Sequence, residues 1–169
     1  MNTRNPITLS VLAVAVFMLI TCAPPNSEIQ SGDSAGQKVD SCLAEQARLA
    51  ANKEMVTSFY QQLFGDKDLS VIDKYIAEDY IQHNPMAADG REALKEVLSK
   101  WFVGAPKDTV DFQRVAADGD LVILHIRSTF GGKTRAIVDI FRIEDGMIAE
   151  HWDVIQEVPE ESKNPHPMF

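Results

Sequence analysis

The sequence predicts an α+β fold, in which helices from the first half of the chain pack on one face of a curved antiparallel sheet from the second half. Two observations support this prediction. Apolar residues recur every three or four positions between Ser41 and Trp101, which is the spacing of amphipathic helices. After Pro106 the chain consists of runs rich in Val, Ile and Phe that are separated by short turns. Helices followed by strands are typical of the α+β class.

The first half contains three predicted helices and one extended segment. The first helix begins at Ser41 and ends at Gly65, and a short second helix covers residues 69–76. The third helix opens at Asp89, a good N-cap residue, and ends before Pro106. Residues 79–85 lie between the second and third helices, and we expect them to be extended because Asn84 precedes a proline.

The second half contains four predicted strands, which we expect to form an antiparallel meander. They cover residues 110–117, 121–130, 134–143 and 147–158. The dipeptides between them are Asp118-Gly119, Gly131-Gly132 and Asp145-Gly146. Asp-Gly and Gly-Gly favour tight hairpin turns, because both central positions of such a turn need a positive φ.

The register of the last hairpin decides which side chains share a face of the sheet. If Asp145-Gly146 forms the whole turn, Phe141 lies opposite Glu150, and Asp139 lies opposite Trp152. His151 would then face the reverse side, where a histidine is most often a surface or interface residue. Asp153, Val138 and Ile140 would share that side, and a single bulge would exchange the two faces locally.

Asp139 is the main candidate for a functional residue. It interrupts an apolar strand that the pattern predicts to be buried, and a buried carboxylate is costly unless it is partnered or protonated. One interpretation is a structural role, in which Asp139 caps a backbone group or pairs with Arg127 or Arg135. The favoured interpretation is a polar group that projects into a ligand cavity and transfers protons there.

His125 is the candidate partner of Asp139, and the Gly131-Gly132 turn decides whether the two residues meet. A two-residue turn places His125 opposite Val138. A turn of three or five residues places His125 opposite Asp139 and would allow them to share a proton.

Other polar residues give weaker signals. His83 and Asn84 lie on the extended segment near the open end of the sheet, where they either form an exposed turn or contribute to a site. The histidines and Asp139 are of metal-ligating type, but their spacing matches no local metal motif, so we expect no metal site.

The amino terminus resembles an export signal. Arg4 precedes an apolar stretch from Ile7 to Ile20, which is the length of a secretory hydrophobic region and too short to span a bilayer as a mature helix. The following Leu19-Ile20-Thr21-Cys22 resembles the bacterial lipoprotein box, although Thr21 departs from the small residues usual before the cysteine. We therefore expect a signal peptide over residues 1–22, lipidation at Cys22 and attachment to the bacterial cell envelope. Simple secretion or an uncleaved anchor is the alternative to lipidation, and Cys22 could form a bridge to Cys42 if processing fails.

The rest of the chain divides into a tether, a domain and a tail. Residues 23–40 are rich in Pro, Ser, Gly and Gln, a composition that predicts a flexible tether. We expect residues 41–158 to form the domain. Residues 159–169 then form a C-terminal tail that ends in Met168 and Phe169. The net charge of −9 argues against a nucleic-acid partner.

Three segments of the domain resemble the SnoaL-like family of the nuclear transport factor 2-like superfamily. These segments are residues 80–85 (YIQHNP), residues 90–94 (GREAL) and residues 138–154, which run from VDIFRIEDG into EHWDV. The resemblance implies a cone-shaped α+β barrel around a cofactor-free cavity. Related polyketide cyclases pair a catalytic aspartate with a histidine fourteen residues earlier, and Asp139 and His125 have that separation. In related isomerases the catalytic base precedes a proline, where this chain has Asn84, which argues against that route.

These expectations combine into a functional hypothesis: acid/base catalysis, such as an aldol-type condensation or cyclisation, on a small hydrophobic carbonyl compound. Asp139 and His125 would be catalytic. The substrate would be bound by a further set of residues: Tyr80, His83, Asn84, Phe141 and Trp152. A non-catalytic, lipid-anchored binding or accessory module is the alternative. The resemblance and the apolar reverse face also predict a homodimer.

Overall fold

The computed structural model describes residues 31–169, and its side chains from residue 35 onward. The predicted signal peptide, Cys22 and the first part of the tether therefore lie outside the described residues. Residues 38–169 form one compact unit, to which the fold and the site below belong. Among the described residues, no helix is both long enough and apolar enough to cross a membrane.

Three helices and five strands make up the described chain. Helix α1 spans Ser31–Tyr60 and continues into a π-helical turn, Gln61–Gly65, and α2 and α3 span Val71–Tyr75 and Arg91–Trp101. The strands are β1 (Ile76–Gln82), β2 (Asp111–Asp118), β3 (Leu121–Phe130), β4 (Lys133–Glu144) and β5 (Met147–Glu157). This arrangement confirms the predicted α+β fold.

Helix α1 begins earlier than the predicted Ser41. From residue 35 to residue 48 its side chains are all exposed, including Val39 and Leu43. No proline interrupts residues 31–60, so the backbone stays helical without a packed face. Residues 31–40 of the predicted tether are therefore helical.

The sheet has one strand more than the predicted meander. Its order is β1-β5-β4-β3-β2, with β1 parallel to β5 and the other neighbours antiparallel. The segment predicted to be extended supplies the additional strand, which ends at Gln82. This pairing brings the polar residues that follow β1 next to the second half of β5.

The helices cover one face of the sheet and form the core with it. Val56 and Phe59 from the end of α1 and Leu63 from the π-helical turn are almost fully buried, and they pack with Leu98 of α3 and Leu124 of β3. Asp89 does not cap α3 as predicted. Gly90 occupies the N-cap with a φ of 93°, and the Asp89 carboxylate accepts a hydrogen bond from the Gln82 backbone N–H instead.

Candidate active site

A cavity of about 500 Å³ lies between the helices and the sheet. Its walls come from the π-helical turn, from α3 and from the inner face of β3, and its polar end comes from β1, β4 and β5. Aromatic and aliphatic side chains form most of the walls, including Phe59, Phe64, Leu98, Trp101, Phe102 and Phe141. A pocket of this size and lining is typical of a binding site for a small organic molecule.

One extra residue in β5 determines which side chains reach the cavity. The Asp145-Gly146 turn has two residues, as predicted, and both have positive φ. Beyond it the register shifts, because Arg142 pairs with Glu150 whereas Ile143 pairs with Ile148, which leaves Ala149 as a bulge.

The bulge corrects the predicted register of the hairpin. Phe141 lies opposite His151 rather than Glu150, and Asp139 lies opposite Asp153 rather than Trp152. Because opposed residues point to the same face of a sheet, His151 and Asp153 share the cavity face with Asp139.

Asp139 and His151 form a buried pair at the end of the cavity. Asp139 is only 5% exposed, and its Oδ1 atom lies 3.0 Å from Nε2 of His151. The other carboxylate oxygen, Oδ2, is buried and has no hydrogen-bond partner among the described residues. Since buried carboxylate oxygens are normally satisfied, this atom is available to a molecule in the cavity.

Gln82 determines which nitrogen of His151 carries a proton. Its side-chain oxygen Oε1 accepts from the backbone N–H of Asn84 at 2.9 Å and lies 2.9 Å from Nδ1 of His151. Because that oxygen can only accept, Nδ1 must be protonated. The contact between Nε2 and Asp139 then contains a single proton, held by His151 or by Asp139.

Asn84 and Asp153 extend the polar end of the cavity. The side-chain amide of Asn84 donates a short hydrogen bond to Oδ2 of Asp153. Asp139, His151 and Asp153 each offer a ligand atom, and these atoms lie within 4.8 Å of one another. The three residues form a set of metal-ligating type that the sequence spacing did not reveal, because the bulge brings them together.

Two tyrosine hydroxyls lie in the same polar region. Burial raises the pKa of Tyr60 and of Tyr80 well above the usual value, and the negative charges of Asp139 and Asp153 raise both further; for Tyr60 the nearness of its hydroxyl to the Asp139 carboxylate adds to the rise. The Tyr80 hydroxyl accepts from Nε2 of Gln82 at 3.1 Å, so its own proton remains available for donation. Both tyrosines line the cavity as neutral hydrogen-bond donors.

His125 does not meet Asp139, so the predicted pair is wrong. Gly131-Gly132 forms a two-residue turn, which pairs Phe130 with Lys133 and places His125 opposite Val138. The imidazole therefore lies on the outer face of the sheet, where Nδ1 is 2.9 Å from Nη1 of Arg114. The ring of Phe169 stacks on it at 6.1 Å, so the end of the tail packs on this face.

His83 and Trp152 also lie outside the cavity, contrary to their predicted roles in substrate binding. The two rings stack on the outer face at 4.7 Å, almost parallel. His83 Nε2 lies 2.8 Å from Glu150 Oε1, and Glu150 in turn binds Arg142. This network pulls the pKa of Glu150 below its usual value, mainly through the His83 contact.

The predicted site residues thus divide into two groups. Asp139, Tyr80, Asn84 and Phe141 line the cavity, whereas His125, His83 and Trp152 do not. At the polar end of the cavity the sequence interpretation missed Tyr60, Gln82, His151 and Asp153. Strand alternation is the signal that locates His151 and Asp153, but it gives the correct face only when the bulge is known.

Comparisons with known proteins agree with this architecture. A family model described as a SnoaL-like domain matches residues 56–151. No curated protein matches the chain. Among solved structures, a protein from Acidithiobacillus ferrooxidans that is provisionally described as a polyketide cyclase is 21% identical, with a TM-score of 0.54 over 62% of this chain and 87% of that one.

Two further structures have similar scores. A protein from Kribbella flavida, provisionally described as a ketosteroid isomerase, is 18% identical, with a TM-score of 0.54 over 70% of this chain and 84% of that one. An NTF-2 like protein of unknown function from Burkholderia xenovorans is 17% identical, with a TM-score of 0.55 over 68% of this chain and 89% of that one. At these identities the likeness concerns the fold.

Proposed function

The chain belongs to the SnoaL-like domain family, and we propose that it catalyses acid/base proton transfer on a small, largely apolar carbonyl compound, as in an aldol-type condensation or cyclisation. One observation carries this proposal. Asp139 presents a buried oxygen without a partner to the cavity while His151 holds its other oxygen. A carboxylate that is oriented and shielded in this way suits the role of a general base.

The proposed step moves one proton. Oδ2 of Asp139 removes a hydrogen from the carbon next to the substrate carbonyl, and the electron pair of that C–H bond moves to the carbonyl oxygen to give an enolate. The hydroxyls of Tyr60 and Tyr80 donate hydrogen bonds to this oxygen, because their raised pKa values keep them protonated. Asp139 later returns the proton, so it acts first as base and then as acid.

His151 and Gln82 position the base. His151 keeps the carboxylate of Asp139 in one orientation, and Gln82 holds the imidazole through Nδ1. General acid/base catalysis by one positioned group contributes about 10²- to 10⁴-fold in rate. A contribution of this size is sufficient for a C–H bond that is already strongly activated, as in a β-dicarbonyl compound, and not for an inert one.

Hydrogen exchange tests the proposal without knowledge of the natural substrate. The purified protein is incubated in heavy water with acetophenone and a set of cyclic ketones, and deuterium at the carbon next to the carbonyl is measured by mass spectrometry. We expect exchange above the buffer rate, and a loss of about 10²-fold or more of this excess in Asp139→Asn. Asp118→Asn, an equal change of charge at the exposed end of β2, is the control. Equal exchange in wild type and Asp139→Asn would remove Asp139 from the mechanism.

A second candidate function is capture of a hydrophobic metabolite without reaction. The predicted lipid anchor favours it, because a protein fixed at a membrane face has no evident supply of tethered intermediates. Ligands that bind and are released with unchanged mass and without exchange would support this function.

We also propose that the protein is exported and anchored through lipidated Cys22, as the sequence of residues 1–22 predicts. The intact mass of the mature protein tests this: we expect it to begin at Cys22 and to carry acyl chains. The Cys22→Ser variant should then lose the acyl mass and leave the membrane fraction.

A further inference from the structure

The polar end of the cavity carries one negative charge that its own residues do not neutralise. His151 and Asp139 share one proton beyond that on Nδ1, so the pair is neutral in either arrangement. Asp153 lies directly opposite Asp139 and receives only the neutral amide of Asn84. Among the described residues, no lysine or arginine forms an ion pair with either carboxylate. A buried end of this kind favours a cationic ligand group.

Aromatic rings line the cavity beside the Asp139–His151 pair. The ring of Phe141 stacks on His151 at 4.7 Å, and the rings of Phe59 and Tyr60 contact Phe141 edge-on at 6.2 and 6.3 Å. All of these residues line the cavity. The faces of aromatic rings attract cations, and the attraction grows when water is excluded. The ring cluster and the carboxylates therefore favour the same class of ligand.

We propose that the substrate carries a protonated amine that binds Asp153, and that the carbon from which Asp139 takes its proton lies beside that amine. This inference rests on the proposed function, because it assigns the substrate class of the same site. The ligand atoms of Asp139 and Asp153 lie within 4.8 Å of each other. One small molecule can contact both carboxylates when its amine lies one or two bonds from the reacting carbon. The substrate class is thus an α- or β-amino carbonyl compound with an apolar body.

The chemistry of the step supports this assignment. A positive ammonium group next to the reacting carbon withdraws electrons and makes its hydrogen more acidic. It also stabilises the negative charge that develops when the proton leaves. Asp153 would hold the ammonium group while the Oδ2 atom of Asp139 faces the carbon, so the two carboxylates have separate tasks.

Binding of simple probes tests the cation subsite independently of catalysis. Isothermal titration calorimetry at neutral pH compares 2-phenylethylamine with 2-phenylethanol, which have the same shape and differ in charge. We expect wild type to bind the amine about tenfold to a hundredfold more tightly, since hydrogen bonds to charged groups are the stronger ones. In Asp153→Asn this preference should disappear, whereas Asp118→Asn should keep it.

Three results would overturn the inference. Equal affinity for the amine and the alcohol in wild type is one, and an amine preference that persists in Asp153→Asn is another. The third is binding of Mg²⁺ or Zn²⁺ alone that displaces the amine and is lost in Asp153→Asn, which would assign the carboxylates to a metal ion. Ketone exchange without an amine preference would overturn the substrate class and leave the proposed function standing. An amine preference without exchange would overturn the proposed function and leave only the amine-binding subsite at Asp153 standing.

Discussion

His151 lies opposite Phe141 and reaches Asp139 at 3.0 Å because Ala149 is an extra residue in β5. Without this bulge the strict alternation of the strand would direct His151 to the outer face. Ile148 and Ala149 are both buried, so the bulge allows two consecutive apolar residues to leave water. On the outer face, Glu150 meets Arg142 and His83. One inserted residue thus serves the core, an ion pair and the candidate site together.

The Asp139–His151 pair predicts different stabilities for two variants. In Asp139→Asn the amide N–H donates to Nε2 of a neutral His151, so the contact persists and we expect a loss of at most about 1.5 kcal/mol. In His151→Ala the carboxylate remains buried without a partner, and the expected loss is about 3–5 kcal/mol. Urea denaturation at neutral pH measures both free energies of unfolding. Similar losses in the two variants would contradict the pairing.

Local chemistry made the hairpins predictable. Asp145-Gly146 and Gly131-Gly132 form two-residue turns because all four residues adopt the positive φ that these turns require. The buried position of Asp139 was also predictable, since it interrupts an apolar run. The bulge at Ala149 was not, because the neighbouring residues carry no glycine or other signal. The pairing of β1 with β5 depends on contacts between residues far apart in the sequence.

The candidate site, like the fold, was predictable from the sequence only in part. Asp139, Tyr80 and Asn84 were located correctly, because each is a polar or amphipathic residue in or beside an apolar segment. The partner of Asp139 was not, because the separation of His125 from Asp139 favoured a contact that the register excludes. Tyr60 was missed because a tyrosine on the buried face of a helix is indistinguishable from a core residue.

The three tyrosines should titrate in two groups. The pKa of Tyr75 is lowered by its contacts with Lys74 and Gln62, whereas burial raises that of Tyr60 and Tyr80. A raised pKa in the folded state contributes stability that is fully present below the unfolded value, about 10. This stability is lost as the pH rises through the raised pKa values of the two tyrosines in the folded state.

Alkaline titration followed by tyrosinate absorbance and by circular dichroism measures this difference. We expect one tyrosine to ionise while the fold is intact, and two to ionise only together with unfolding. Tyr75→Phe should remove the early step and leave the late one. Ionisation of all three tyrosines in the folded protein would contradict the burial of Tyr60 and Tyr80.

Gly65 at the end of the π-helical turn is a second stability determinant. A methyl group there would lie 2.7 Å from the backbone oxygen of Asp108 and closer still to the Gln61 side chain. Hydrogen bonds connect these residues to the loop before β2. The Asp108 N–H donates to the Gly65 carbonyl at 3.0 Å. The Gln61 side chain donates to the Asp108 carbonyl and accepts from the Val110 N–H.

We therefore expect Gly65→Ala to lower the free energy of unfolding by about 1–3 kcal/mol, the usual cost of overpacking. Urea denaturation measures this loss. Gly36→Ala provides the matched control, because it adds the same methyl group to helix α1 where nothing lies within 4 Å. An equal effect of the two substitutions would show that the contact of Gly65 with the loop is not tight.

The outer face of the sheet predicts a dimer. In the part of the chain that the structure describes, the register aligns Ile123, Ile140 and Trp152 in one row and Val138 with Val154 in the next. Val154 is 68% exposed, which is unusual for an apolar side chain on the face of a sheet. An apolar patch of this kind commonly marks an interface.

We expect analytical ultracentrifugation at micromolar concentration to show a dimer for wild type and a monomer for Val154→Glu, because the variant places two like charges in a symmetric contact. Val103→Glu, at another exposed valine outside the sheet, should remain a dimer. Unchanged far-ultraviolet circular dichroism would show that each variant is folded. A monomeric wild type would mean that this face is covered by a segment of its own chain or is left open to solvent.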